Sequence, residues 1–148
     1  MELIVNGTAG SAGEALAEML VGCRSAVVVV AYVLRSGADE LLHLLHVNGV
    51  DARRVTVVCG TDHGFTEPEA LWALHYYRVD LRLYSGRGLF HPKVYYARGE
   101  KGDQLLVGSS NMSAGGVRGE PRGRDTHQAT CWQPPEEAGC RVRAPNAG

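Results

Sequence analysis

The feature that most limits the folds open to this chain is the unbroken run Ala26 to Leu34, AVVVVAYVL. It is β-branched and continuous rather than alternating, which is how a strand covered on both faces reads. The run therefore predicts a central strand. At nine residues it has about half of the roughly 20 that a helix needs to cross a bilayer. No membrane span and no membrane partner are expected.

The flanking periodicities supply layers for such a strand. Residues 12 to 22 place Leu16, Met19 and Leu20 on one helical face, with Gly22 as the stop. Ala38 to Val47 repeats Leu41, Leu44 and Leu45 at helical spacing before the terminators Asn48 and Gly49. Arg54 to Cys59 reads as a second short buried strand, ended by Gly60. Thr66 to Arg78 opens with Thr-Glu-Pro-Glu, which predicts Thr66 as a cap, Glu69 as the closing member of a capping box and Pro68 in the first turn. Val79 to Tyr84 alternates as a strand. The expected fold class is α/β, a mixed β-sheet flanked by helices.

Composition bounds the domain. The chain has 148 residues, 45% hydrophobic and 21% charged, which fits one globular domain. Its pattern breaks near Val117: four of the six prolines and five arginines fall in the last 31 residues, where Trp132 and Val142 are the only large apolar side chains. Too little surface can be buried there to offset about 1–2 kcal/mol per ordered residue. Residues 1–117 are thus expected to form the domain, and 118–148 a disordered or out-of-frame tail. Fifteen Lys plus Arg against 16 Asp plus Glu leave a net charge of -1, so any polyanion contact must be local. Four cysteines without a basic and apolar leader argue against a disulfide-stapled secreted protein and point to a reducing cytoplasm.

Chemistry concentrates in residues 89–113, LFHPKVYYARGEKGDQLLVGSSNMS. His91 and Lys93 are two apart, so on a strand both side chains leave one face. The turn-rich Arg98 to Asp103 predicts a hairpin centred near residues 100 and 101, whose partner numbers sum to about 201 or 202. That register sets His91 opposite Ser110 or Asn111, and Lys93 opposite Gly108 or Ser109. An imidazole can attack phosphorus, an ammonium can neutralise nonbridging oxygens, and an Asn amide with Ser hydroxyls can donate hydrogen bonds to them. Arg87, in the glycine-flanked turn before His91, could reach the same phosphate. Each element has a bland counterpart: a strand-edge histidine, a solvated lysine, an ordinary helix-cap turn. Ordered spacing and matching register favour the joint reading.

These residues resemble the phospholipase D superfamily, whose signature is His-x-Lys, a short gap, Asp, and then Gly-Ser-x-Asn. His91, Lys93, Gly108, Ser109 and Asn111 match it, and the helix and strand alternation of residues 12–117 is similar to one half of that fold. The signature Asp falls at position 98, which is arginine here. The branch resembling this pattern without the Asp contains metal-independent restriction endonucleases and related nuclease-like domains. The resemblance implies a phosphohistidine mechanism with His91, Lys93 and Asn111 as catalytic residues, Ser109 on the phosphate, and no metal or other cofactor; Ser110 and Arg87 are expected on the phosphate from their positions alone. It also implies a nucleic-acid substrate, DNA ahead of RNA, and a homodimer, because two copies of the motif are needed and the chain has one. The competing expectation is a catalytically inactive fragment, incomplete at its C-terminus, that binds phosphate or nucleic acid.

Other candidates rank lower. His63 beside Asp62 could orient a base, but turns are polar anyway. His43, His46 and His75 lack a ligand partner at metal spacing. Cys23 and Cys59 border strands and should pack as small hydrophobes. His127, Cys131 and Cys140 match no closed zinc site.

Overall fold

In the computed structural model, which describes residues 12–61, 64–86, 88–108 and 111–112, the valine run becomes the middle strand of a five-stranded sheet. The elements are helix α1 (Ala12–Leu20), strand β1 (Cys23–Val30), helix α2 (Arg35–Val47), strand β2 (Val55–Gly60), helix α3 (Pro68–Tyr76), and strands β3 (Asp80–Tyr84), β4 (Lys93–Gly99) and β5 (Gly102–Val107). The strand order is β3-β2-β1-β4-β5. β1, β2 and β3 run parallel, whereas β4 is antiparallel to both β1 and β5, so the sheet is mixed and the fold is α/β.

The β4–β5 hairpin has the expected register: its partners, from Val94 with Val107 to Gly99 with Gly102, sum to 201 and leave Glu100 and Lys101 as the turn. β1 differs from expectation at both ends. It starts at Cys23, because Cys23 and Ser25 find partners in Gly99 and Arg98 across a bulge. It stops at Val30, where its neighbours end their pairing at Lys93 and Cys59. Ala31 to Leu34 therefore lie outside the strand, held by separate bonds: Gly60 N–H donates to Ala31 O at 3.1 Å and Leu34 N–H to Met112 O at 2.9 Å.

Two helix starts also differ from expectation, for one shared reason. Thr66 does not cap α3; its hydroxyl donates to Gly60 O at 2.6 Å and accepts from Val33 N–H at 3.3 Å. The N-cap of α3 is Glu67, which makes no side-chain cap bond, and its carboxylate instead accepts from Arg35 N–H at 2.5 Å. That distant acceptor satisfies an orphan donor of α2 and allows the helix to begin at Arg35 rather than Ala38. Thr66 and Glu67 thus tie together the segments leaving β1 and β2.

Register explains the layers. One face of the sheet carries the rows Leu81, Val57, Val28, Tyr95, Leu106 and Leu83, Cys59, Val30, Lys93. All three helices contribute to the core against this face, with Leu20, Leu41, Leu45 and Leu74 fully buried. Each such side chain contributes about 1.5–3 kcal/mol by leaving water. The opposite face carries Val58, Val29, Val94 and Val107 in one row, and Thr56, Val27, Tyr96 and Leu105 in the next. Val27, Val29, Val58 and Val94 are only half-buried there, and Leu105 and Val107 are exposed. The expectation of a strand covered on both faces is corrected accordingly: among the described residues, helices cover one face.

Among the described residues no helix is long and apolar enough to cross a membrane. The expected tail, residues 118–148, lies outside the described residues.

Candidate active site

The parallel strands all point their carboxyl ends toward one margin of the sheet, the margin at which open α/β sheets bind ligands. β4 runs the other way, so its first residue, Lys93, arrives at that same margin beside Val30. This residue continues the helix-covered face, in the row of Leu83, Cys59 and Val30. Position in the sheet therefore buries it: Lys93 is 7% exposed.

His91 lies just before the strand, in irregular backbone, and not on it as the spacing predicted. The two residues nevertheless meet. Lys93 Nζ lies 2.7 Å from His91 Nδ1 and 3.1 Å from Nε2, and it donates to His91 O at 3.4 Å. An ammonium has donors only, so the ring nitrogen it engages must be an acceptor, and the tautomer decides which of the two it is. Burial pushes the Lys93 pKa below the usual lysine value. The cover is shallow, since His91, the group in contact with the ammonium, is itself exposed.

Asn111 reaches the same margin by a route the register did not foresee. The ladder holds as far as Gly108, whose N–H donates to Lys93 O at 3.1 Å, as expected for a residue opposite Lys93. The next described residues lie at the extension of β1, where Met112 forms a parallel bridge with Val33 and is fully buried. Asn111 Oδ1 is buried and has no hydrogen-bond partner among the described residues. A bare buried acceptor costs about 1–3 kcal/mol, a cost that binding sites carry until a ligand completes the bonding. The margin thus brings together a lone-pair donor and a cation, groups suited to attacking and gripping a phosphoryl centre, while the bare Asn111 oxygen is an acceptor and calls for a donor rather than for a phosphate oxygen.

Ser109, Ser110 and Arg87, expected on the phosphate, lie outside the described residues, as do Asp62, His63, His127, Cys131 and Cys140. Arg98, in place of the signature Asp, is at the far end of β4, where it pairs with Asp103 at 3.0 Å and takes no part in this margin. His43, His46 and His75 are exposed. Cys59 is buried in the core, where burial pushes its thiol up to about 11, and Cys23, half-buried at the start of β1, is also raised by burial. Both fit the role of small apolar residues. Among the described residues no group of three or more His, Cys, Asp or Glu side chains could hold a metal ion.

Sequence reasoning missed the aromatic surroundings of His91. A pocket of about 120 Å³ at the margin is lined by Tyr32, Gly60, Phe65, Leu89, Phe90 and His91. Tyr32 was readable only as part of the apolar run, and Phe90 only as flanking His91; their meeting depends on strands distant in sequence. No protein-family model matches this chain, and no curated protein sequence matches it.

Proposed function

We propose that this chain is a metal-independent phosphodiesterase of the phospholipase D type, a DNA endonuclease built as a half-site that acts as a homodimer. The observation that carries the reading is the contact between His91 and Lys93 at the carboxyl margin of the sheet.

In this reading a ring nitrogen of His91 attacks phosphorus. The P–N bond forms, the P–O ester bond breaks, and the leaving oxygen takes a proton from His91 of the partner subunit. Water then attacks the phosphohistidine, returns its proton to that second imidazole and frees His91 with a phosphate monoester. Lys93 neutralises the nonbridging oxygens throughout, the charge stabilisation that a divalent ion supplies elsewhere. A two-fold axis is the economical source of the second imidazole, because an isologous interface brings identical groups together. The setting we propose is the cytoplasm.

A second reading, an inactive fragment that binds phosphate or nucleic acid, is favoured by one observation: position 98 is spent on an ion pair at the hairpin. One assay separates the two. Wild type should cleave supercoiled plasmid and a chromogenic phosphodiester in excess chelator and sediment as a dimer, while His91→Ala should lose turnover with an unchanged circular dichroism spectrum, since His91 is exposed. A wild type that binds but never turns over supports the second reading, and activity that survives His91→Ala sinks the first.

A further inference from the structure

Beside the phosphate-handling pair, the margin holds a feature that phosphodiester cleavage does not require. Tyr32, Phe65, Leu89 and Phe90 surround a space of about 120 Å³ that His91 also lines. Two ring pairs build its walls. Tyr32 and Phe65 have centroids 5.7 Å apart with planes tilted by 43°, and Phe90 stacks on Tyr84 at 4.4 Å and 18°. Gly60 belongs to the design: a Cβ there would lie 2.8 Å from Ala31 O and 3.2 Å from the Phe90 ring. The absent side chain is what lets Phe90 close against β2.

The pocket is incompletely closed by its own apolar residues, for Phe65 is 60% exposed and Leu89 is 80% exposed. Large apolar side chains held in water around a concavity mark a surface that receives something apolar. Size restricts the guest. An apolar cavity of about 150 Å³ takes up one benzene molecule, so this space suits one planar ring rather than an acyl chain or a nucleoside with its sugar. Proximity restricts it further, because the guest must lie next to His91, where the phosphoryl centre would be.

We propose that this pocket is a base-stacking subsite, which holds a nucleobase flanking the scissile phosphate between Phe65 and Phe90. The inference rests on the phosphodiesterase reading for the position of the phosphate. A base paired within a duplex offers only its edges, so the subsite selects single-stranded nucleic acid or a nucleotide turned out of the helix.

The test measures binding separately from turnover. Fluorescence anisotropy with the full chain should show an oligothymidylate binding more tightly than an abasic oligonucleotide of equal length and charge, by about tenfold, the scale of one stacked base. Phe65→Ala should bring that ratio near one with the abasic affinity unchanged, and since Phe65 is largely exposed its removal leaves the core intact. Phe65→Trp should preserve the preference. Equal binding of the two oligonucleotides by a wild type that hydrolyses phosphodiesters would overturn the subsite and leave the phosphate site standing. A base preference lost in Phe65→Ala, in a protein without hydrolysis, would uphold the subsite and overturn the phosphodiesterase. A preference unchanged in Phe65→Ala would overturn the assignment of the pocket.

Discussion

The two ends of β4 use the same chemistry for opposite purposes. At the hairpin end Arg98 is exposed and pairs with Asp103 directly across the ladder, and the guanidinium holds that carboxyl below its ordinary value. At the other end Lys93 is buried, and no carboxylate among the described residues pairs with it; its nearest polar company is the ring of His91. A cation matched by an anion in solvent needs no further explanation, and it contributes little to stability. A cation under thin cover without a matching anion loses a little hydration and stays available to an anion that arrives later. On the phosphodiesterase reading, the end with the uncompensated charge is the one that would receive the anionic substrate.

The widest separation between the two ends should appear in activity. Lys93→Ala is expected to lower kcat by about 10²–10³-fold, the usual effect of removing one group that stabilises developing negative charge, whereas Arg98→Ala should turn over like wild type. Equal losses in both variants would erase the distinction. The pH profile sharpens it. Burial lowers the Lys93 pKa, so as pH rises the ammonium loses its proton earlier than an ordinary lysine would, and the alkaline limb of kcat/KM should fall early. Lys93→Arg keeps its charge throughout, so its neutral rate should be lower but its alkaline limb should persist further. An alkaline limb that does not move in Lys93→Arg assigns that ionisation to another group.

Next in size is a packing effect at the hairpin end. A Cβ on Gly99 would meet Gly22 O at 2.3 Å and Cys23 Cα at 2.8 Å, both backbone atoms with no freedom to rotate away. Gly99→Ala should therefore cost about 1–3 kcal/mol in urea unfolding, the range for overpacking a filled site, without a specific loss of kcat in the folded fraction. The hairpin end would then be structural in the same sense that the other end is chemical.

This division was partly legible in the sequence. Turn residues and alternating strands narrowed the hairpin register to two choices, Lys93 opposite Gly108 or Ser109, and the structure takes the first. The valine run announced a central strand because continuous β-branched sequence has few other homes. What escaped was whatever depends on partners far along the chain. Thr66 has the local grammar of a cap, yet Val33 N–H and Gly60 O claim its hydroxyl. Asn111 leaves the ladder because Met112 is buried against the extension of β1, a packing preference that register cannot express. Residues with local periodicity declared themselves, while those recruited by tertiary bonds did not.

A smaller expected effect concerns stability at the site end. Lys93→Met keeps the apolar stem, which packs in the row of Val30 and Cys59, and removes the charge. If that charge is held for a ligand, its removal should raise stability by about 0.5 kcal/mol, at the low end for mutations that exchange function for stability because the cover over the ammonium is thin. A shift of the urea midpoint to higher concentration at constant slope would be the signature. A fall would mean that Lys93 stabilises the fold through His91, and the uncompensated charge would cease to mark a binding site.

Least should change at Arg98. Its carboxylate partner is exposed and stays solvated when the guanidinium is gone, so Arg98→Ala should leave the urea midpoint where it was at moderate salt. Arg98→Asp is the more searching version, because it returns the residue type of the phospholipase D signature to this position. Here it would set two carboxylates directly opposite each other, Asp103 being the cross-strand partner, and like charges in that relation destabilise a ladder. The expected outcome is a slightly lower midpoint that recovers as salt is added, with no gain in turnover. A gain would show that the hairpin end communicates with the margin, and that the two ends of β4 are one device rather than two.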